Sequence, residues 1–538
     1  MPFAPSRSPF LLSRGMRWFC GTALAVVFGL PPSAGQAREL RIGISSPVNS
    51  ADPHFSNTTS NSAMTAHVFD TLVARDPQSR LVPALAESWK PVGETTWEFR
   101  LRPGVTWHDG RPLTADDVAF TIARVPNVLG ATGGFHSAVR PITRVEVVDD
   151  RTVRFHSAGP HPLLPSDISF VQIISRHAGE GANPEDYNSG RASIGTGPYR
   201  FVAYRSGQGA VFERNDAWWG PKQPWTRVDY RFIANDGARS AALLAGDVDL
   251  IDQVSANDLP RLRADRRVTV SEIPGVRLIY LQPDFSRQEE VPGVTDNDGR
   301  PLPRNPFLDL RVRRALSLAI DRKALAERVM AGTAIPTGQW LPEGSFSYAP
   351  EVPVPVQDLA EARRLLAEAG FPQGFRVVLT TPNDRYPGDA AVSQAVAQFW
   401  TRAGVRTEVQ PLPWASYLTR GSRQEFGFRL GGWGSSTGEA SYILRNVLGT
   451  YDRSKGWGGP NFNRYSNPGL DALTARATAT IDDGAREALL RQATKLAADD
   501  LGILPLFLLR NAWASRNGVG YAARADEQTL AASASLAQ

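Results

Sequence analysis

Apolar and polar residues alternate over a short stretch near the start of the chain and predict a β-strand. Trp97, Phe99 and Leu101 are separated by charged residues, which is the period-two pattern of a strand with one buried face. Two further stretches, 145–148 and 151–155, flank a pair of aspartates and predict a β-hairpin. This part of the chain is therefore expected to form a strand-rich domain.

Apolar residues at helical spacing predict several well-delimited helices. Thr114 and Asp117 have the spacing of a capping box at the start of one helix. Longer amphipathic patterns occupy 312–320 and 359–369, and the second is followed by Gly370, a residue typical of helix ends. We interpret the apolar faces of these helices as core, since nothing in them indicates a functional role.

One segment predicts a strand, a loop, a helix and a second strand in succession. A short apolar strand at 376–380 leads into the polar loop 383–388, a helix begins at Asp389 and ends near Gly404, and 405–410 is apolar again. This order implies a right-handed parallel crossover. A further strand is predicted at 425–430, followed by a glycine-rich loop over residues 431–439. Ligands of open α/β sheets bind at loops that leave the carboxyl ends of strands.

Length and composition are those of a large globular protein with a mixed α/β fold. The chain has 538 residues, 42% of them hydrophobic and 21% charged, so two or three lobes are expected. Two proline- and glycine-rich stretches, about 286–306 and 341–356, are predicted to be connectors. We find no internal repeat.

The first 37 residues have the layout of a secretory signal peptide. Three arginines precede an apolar run at 19–30, and small residues end the segment at Ala37. The run is too short to span a membrane as a helix. Without this segment the net charge falls from +5 to +2 and the single cysteine, Cys20, is removed. The mature protein is therefore not expected to bind nucleic acid or to contain a disulfide.

The sequence contains little that indicates catalysis. Gly434 to Gly438 match the G-x-S-x-G pattern with Ser436 as nucleophile, but all seven histidines precede Ser436, which is the wrong order for a hydrolase of that type. No histidine pair has metal-binding spacing, and no nucleotide-binding loop is present. We therefore expect a binding protein without metal or cofactor, with a secreted serine hydrolase as the alternative from another class.

Several motifs resemble those of family 5 of the extracellular solute-binding proteins, which includes dipeptide, oligopeptide, nickel and glutathione binders. The resemblance covers residues 38–538 in order. The motifs are LVPALAESWKPVGETTWEFRLRPGVTWHDGRPLTADDVAFTIARV at 81–125, Gly195–Tyr199, Asn215 with Trp218–Gly220, VRRALSLAID at 312–321, the 358–370 helix and Asn463–Pro468.

The resemblance implies a periplasmic-binding-protein type II-like fold, in which two lobes close on a ligand by hinge motion, together with an extra strand-rich domain. The expected bounds are 38–70, 190–285 and 500–538 for lobe I, 71–189 for the strand-rich domain, and 286–499 for lobe II. It also implies a soluble, monomeric periplasmic protein that captures a peptide or peptide-like ligand. The expected partner is the transmembrane subunits of an ABC permease.

The resemblance also indicates a set of ligand-binding residues. In similar dipeptide binders an arginine followed by a tyrosine pairs with the peptide carboxylate, and Arg385 and Tyr386 match these positions. The aspartate that meets the peptide amine is replaced by Ser436, so Glu439 or Asp384 is the candidate substitute. The full candidate set is Asn383, Asp384, Arg385, Tyr386, Trp433, Gly434, Ser435, Ser436, Thr437 and Glu439, with Trp433 expected to pack against the ligand.

Two alternative ligand classes remain open. The loop at 433–440 is similar to that of glutathione-binding members, which makes glutathione a specific option. A non-peptide solute, such as a sugar or a metal chelate, is the other.

Overall fold

The computed structural model describes residues 38–131, 135–435 and 437–537, so the expected signal peptide at 1–37 lies outside the described residues. The strands are β1 Glu39–Ile44, β2 Val73–Arg75, β3 Leu81–Pro83, β4 Ala86–Pro91, β5 Thr96–Leu101, β6 Ile142–Asp149, β7 Thr152–Ser157, β8 Tyr199–Arg205, β9 Gly209–Arg214, β10 Arg227–Phe232, β11 Leu250–Ile251, β12 Val268–Pro283, β13 Val294–Thr295, β14 Ala334–Pro336, β15 Arg376–Pro382, β16 Arg406–Leu412, β17 Phe428–Gly434, β18 Leu504–Arg516, β19 Val519–Tyr521 and β20 Ala534–Leu536.

Helices alternate with these strands through most of the chain. The α-helices are α1 Thr59–Thr65, α2 Ala115–Arg124, α3 His136–Val139, α4 Leu164–Ile168, α5 Arg176–Gly179, α6 Pro184–Asn188, α7 Asp236–Ala245, α8 Leu259–Ala264, α9 Leu310–Leu318, α10 Arg322–Ala324, α11 Leu359–Glu368, α12 Asp389–Ala403, α13 Trp414–Ser422, α14 Ser441–Asn446, α15 Pro468–Thr478 and α16 Asp483–Asp500. Single turns of 3₁₀ or π helix occur at Val125–Asn127, Pro306–Leu308, Leu325–Val329 and Ala531–Ser533. Within the described residues no helix has both the length and the apolar character needed to cross a membrane.

One large sheet runs through the molecule in the order β13-β15-β17-β12-β18-β11-β1-β10-β9-β8, with β14 beside β18 and β16 beside β15. We call β1 and β8 to β11 the β1 side, and β13 to β17 the β15 side. The long strands β12 and β18 pair with each other between the two sides. Separate hydrophobic cores lie on the two sides, so β12 and β18 connect two bodies that each have a core of their own.

The strand-rich region predicted near the start of the chain forms a second, antiparallel sheet in the order β4-β5-β7-β6. Phe99 and Leu101 of β5 are buried in a core of their own, which draws its residues from the stretch between Leu72 and Ile173. The predicted hairpin is β6 and β7, and both reciprocal bonds of the capping box at the start of α2 are present. These three predictions are confirmed.

The predicted strand–loop–helix–strand segment is also present. β15 and β16 pair in parallel, and α12 connects them. The helix ends at Gly404, whose φ of 110° is in the left-handed region that favours glycine. Asp309 and Asp358 are the N-cap residues of α9 and α11, and each of these side chains accepts a hydrogen bond from the backbone of the first turn.

One strand boundary was predicted wrongly. Residues 431–434 were expected to lie in a loop after a strand at 425–430, but β17 covers Phe428–Gly434. Trp433 and Gly434 are therefore strand residues, paired with Leu278 and Arg277 of β12. Glycine has a low intrinsic preference for strands, but the backbone bonds to β12 outweigh that preference here.

Candidate ligand-binding site

A cavity of about 930 Å³ lies between the β1 side and the β15 side. Its volume is within the range of ligand pockets for small molecules. β18 pairs with β14 up to Leu509 and with β11 from Ala514, and residues 509–513 between these pairings line the cavity. The β1 side contributes residues within 46–63 and 230–257, and the β15 side contributes residues within 329–333 and 385–391.

The loop between β15 and α12 brings Arg385 and Tyr386 to the cavity. The buried carboxylate of Asp389 accepts hydrogen bonds from the backbone N–H groups of Arg385 at 3.2 Å and Tyr386 at 3.1 Å. Gly388, immediately before the helix, has a φ of 69°, a backbone conformation that favours glycine. The loop is therefore fixed by the first residue of α12.

The guanidinium of Arg385 is exposed and lies over two aromatic rings. Its Cζ is 5.3 Å from the ring centroid of Trp414 and 5.6 Å from that of Tyr386. Among the described residues no carboxylate lies within ion-pair distance of Arg385, and its guanidinium donates no hydrogen bond to them. Aromatic faces hold a guanidinium in place without neutralising it. This charge is therefore available to an anionic group in the cavity.

Tyr386 is buried against β17. Its Oη donates a hydrogen bond to the carbonyl oxygen of Gly432 at 3.2 Å, and its ring covers the backbone of that glycine. A Cβ at Gly432 would lie 2.7 Å from ring atoms of Tyr386, closer than van der Waals contact allows. A glycine at position 432 is thus what allows the tyrosine to close this wall of the cavity.

Arg277 and Glu527 form an ion pair on the cavity wall that the sequence did not indicate. Nε and Nη2 of Arg277 each donate to one oxygen of the Glu527 carboxylate, both at 3.1 Å, and the carboxylate raises the pKa of Arg277. The two residues are 250 positions apart, and neither lies in a recognisable motif. Because each charge compensates the other, this pair leaves little net charge in the cavity.

Acidic residues on the β1 side share a single arginine. Asp236 and Asp252 both line the cavity, and Arg239, which is fully buried, lies 2.9 Å from the first carboxylate and 3.7 Å from the second. Burial raises the pKa of Asp252 to about 6. Two carboxylates against one guanidinium leave this end of the cavity with surplus negative charge. Sequence reasoning did not identify these residues either.

The other predicted loop residues before α12 lie beside the cavity. Asn383 and Asp384 are exposed and are not among the cavity-lining residues. The Asp384 carboxylate accepts a hydrogen bond from the backbone N–H of Trp414 at 2.7 Å. Asp384 therefore holds the first turn of α13, and through it Trp414, in place beneath Arg385.

The structure places Trp433, Gly434, Ser435 and Thr437 outside the cavity lining. The ring of Trp433 packs on Tyr442, with centroids 5.0 Å apart, and Gly434 lies against Arg277. The backbone N–H of Ser435 donates to the carbonyl of Val276 at 3.0 Å, and the carbonyl of Thr437 accepts from Arg75 and Ser166. Ser436 lies outside the described residues.

Glu439 has a partner of its own within the protein. Its side chain is buried and forms an ion pair with Arg486 of α16, and it also accepts a hydrogen bond from Ser441. Glu439 is thus engaged away from the cavity, which is lined instead by Asp236, Asp252 and Glu527.

Comparisons with known proteins place the chain in one family. Residues 80–455 match the model of the bacterial extracellular solute-binding proteins, family 5. Heme-binding protein A of Haemophilus influenzae is 28% identical over 83% of this chain and 83% of its own length. The dipeptide-binding protein of Escherichia coli is 26% identical over 83% of this chain and 84% of its own length.

The fold agrees with solved structures of such proteins. The structure of HbpA2 from Haemophilus parasuis has a TM-score of 0.81 at 24% identity and covers 93% of this chain and 100% of its own. The expected mixed α/β fold with an extra antiparallel sheet is therefore confirmed. The chain belongs to family 5 of the bacterial extracellular solute-binding proteins, whose members bind solutes and are not enzymes.

Proposed function

We propose that this protein captures a peptide or peptide-like ligand with a free carboxylate and delivers it to the transmembrane subunits of an ABC permease. In this proposal residues 1–37 direct secretion and are removed, and the mature chain acts as a monomer in the periplasm. The dipeptide-binding relative from Escherichia coli supports the choice of ligand class.

The observation that carries the proposal is the uncompensated guanidinium of Arg385 at the cavity. A guanidinium presents paired N–H donors that match the two oxygens of a carboxylate. The aromatic rings of Trp414 and Tyr386 orient it without taking its hydrogen-bonding capacity. A ligand carboxylate would therefore gain charge-assisted hydrogen bonds without breaking an existing ion pair.

The β1 side of the cavity suits the ammonium group of the same ligand. Asp236 and Asp252 share one arginine, so a bound ammonium would restore the local balance of charge. A buried ammonium is costly without such a partner. The two acids therefore support a zwitterionic, peptide-like ligand over a neutral one such as a sugar.

The position of the cavity between two sides joined by β12 and β18 supports capture by closure of the two sides. A ligand that contacts residues of both sides binds the closed arrangement more tightly than the open one, and so shifts the population towards it. Among the described residues that line the cavity there is no histidine or cysteine. The metal ion of a chelate would therefore lack the side chains that transition metals prefer for coordination.

The proposal is tested first by a thermal-shift screen of protein refolded free of ligand. The panel contains dipeptides, tripeptides, glutathione, sugars and nickel chelates. A ligand at a hundredfold excess over its Kd stabilises the folded state by about 2.7 kcal/mol, so true ligands raise the Tm. Shifts confined to sugars or chelates would overturn the peptide assignment.

Titration calorimetry of Arg385→Gln then tests the carboxylate contact. We expect roughly a hundredfold weaker binding of a carboxylate-bearing peptide, about 2–3 kcal/mol, because a desolvated charged hydrogen bond is lost. The same peptide with an amidated C-terminus should bind both forms equally. Arg402→Gln, on the same side of the molecule but outside the cavity lining, is the matched control. Unchanged affinity in Arg385→Gln would remove Arg385 from the site.

A further inference from the structure

Arg510 is a second guanidinium at the cavity, and it lies outside every motif of the sequence. It belongs to β18, where its backbone N–H donates to the carbonyl of Thr333 at 2.8 Å, and it is among the residues that line the cavity. Its side chain is 33% exposed, so a solute can reach it. Its guanidinium donates no hydrogen bond to any residue that the structure describes.

Glu272, the acid within ion-pair distance of Arg510, is shared with a second arginine. Oε1 of Glu272 lies 4.0 Å from Nε of Arg510, beyond hydrogen-bond distance. The other oxygen of Glu272 accepts from Arg263 at 2.6 Å. Two guanidiniums thus share one carboxylate, and Oε1 of Glu272, although buried, has no hydrogen-bond partner within the described chain. Arg510 therefore leaves surplus positive charge at this edge of the cavity.

The charged groups around the cavity fall into four sets. The Arg277–Glu527 pair is neutral, and the acids that share Arg239 have one negative charge in excess. Arg385 is one uncompensated positive charge. Arg510 supplies another, because it shares the carboxylate of Glu272 with Arg263. A ligand that balances these sets carries two negative groups and one positive group.

We infer that the ligand is a peptide-like zwitterion with two carboxylates and one ammonium, and that Arg510 is the residue that recognises the second carboxylate. This inference rests on the proposed function, since it assigns the ligand class of the same cavity. A dipeptide with an acidic side chain has this set of charges, and so does glutathione. A simple dipeptide with neutral side chains lacks the second carboxylate and would leave Arg510 without a partner.

The test uses pairs of peptides that differ only in one charge. Titration calorimetry measures the binding of alanyl-glutamate and of alanyl-glutamine. It also measures the binding of the two tripeptides made by adding one alanine to each of these dipeptides. The proteins are the wild type, Arg510→Gln and Arg267→Gln. Arg267 is 69% exposed, pairs with Asp265 and does not line the cavity, so its variant is the matched control for loss of one positive charge.

We expect the wild type and Arg267→Gln to bind the glutamate peptides at least tenfold more tightly than the glutamine peptides. In Arg510→Gln this preference should fall to less than twofold, while the affinity for the glutamine peptides stays within threefold of wild type. A preference that survives in Arg510→Gln, or equal binding of both peptides by the wild type, would overturn the inference and leave the proposed function intact. If none of these peptides binds, and no peptide or glutathione in the thermal-shift panel raises the Tm, the proposed function fails and this inference fails with it.

Discussion

Gly432 and Tyr386 form a contact in which a missing side chain decides the geometry. The tyrosine ring lies on the glycine backbone, and its hydroxyl donates to the glycine carbonyl. The pattern of the sequence pointed to Tyr386, but it assigned Gly432 to a glycine-rich loop. The sequence could not indicate that Gly432 is a strand residue. Nor could it indicate that the ring of Tyr386, 46 positions away, packs where a side chain at position 432 would lie.

Gly432→Ala is expected to displace the Tyr386 ring and to weaken ligand binding. The added Cβ would lie 2.7 Å from the ring, and such overpacking typically costs about 1–3 kcal/mol. Urea denaturation measures the loss of stability, and calorimetry with a dipeptide measures the loss of affinity, which we expect to be at least tenfold.

The control is Gly434→Ala in the same strand. Its added Cβ would meet nothing nearer than 3.7 Å, so stability and affinity should change little. Equal behaviour of the two variants would show that the contact between Gly432 and Tyr386 is not what shapes the wall.

At the scale of elements, the apolar pattern predicted helices better than strand ends. The bounds of α11 and α12 are close to those expected, because capping residues and glycines mark both ends locally. The end of β17 depends on β12, which is more than 140 positions away, and no local pattern carries that information. Glu439 is a similar case, since its partner Arg486 is on a helix that follows 47 positions later.

Glu439→Gln is expected to destabilise the fold without changing ligand affinity. Glu439 lies just before the start of α14, and its carboxylate pairs with Arg486 on α16. Both side chains are buried. Removing one partner of a buried pair costs about 3–5 kcal/mol. We expect a loss at the lower end of this range, because Arg486 keeps its contact with the exposed Asp483. Denaturation and dipeptide calorimetry on the same variant separate the two effects.

Glu487→Gln is the matched control on the same helix. Its pair with Arg491 is partly exposed, so we expect a change of about 0.5 kcal/mol or less. A loss of ligand affinity in Glu439→Gln, with stability unchanged, would instead return Glu439 to the list of ligand-contacting residues.

At the scale of the whole molecule, the family motifs predicted the fold and one wall of the cavity. Arg385 and Tyr386 come from a local strand–loop–helix unit, so their place at the end of β15 followed from the pattern. The residues opposite them come from segments as distant as 46 and 529, and only the order of strands in the large sheet brings them together. Arg277, Asp252, Arg510 and Glu527 could therefore not be predicted from spacing or motif.

Three histidines, His54, His67 and His108, are buried in the folded molecule, and together they make its stability depend on pH. In each case desolvation by burial is the main cause that lowers the pKa, from 6.5 to about 4. Below pH 6.5 the unfolded chain binds protons that the folded chain excludes until about pH 4, so stability is lost as the pH falls through this window. Asp70 and Asp252, whose pKa values are raised by burial, act in the opposite direction.

Each histidine contributes a loss on the order of 2 kcal/mol between pH 7 and pH 5, because its pKa falls from 6.5 to about 4 on folding. The two carboxylates offset part of this total, so we expect a net loss of stability over this range. Urea denaturation at both pH values measures it. His67→Gln removes one of the three groups that titrate only in the unfolded chain. It should therefore reduce the histidine contribution to the pH dependence of the free energy of unfolding by about a third, whatever its effect on stability at pH 7. Stability that is equal or higher at pH 5 would mean that the buried histidines are already protonated in the folded protein, contrary to the cost of placing an unpaired charge in its interior.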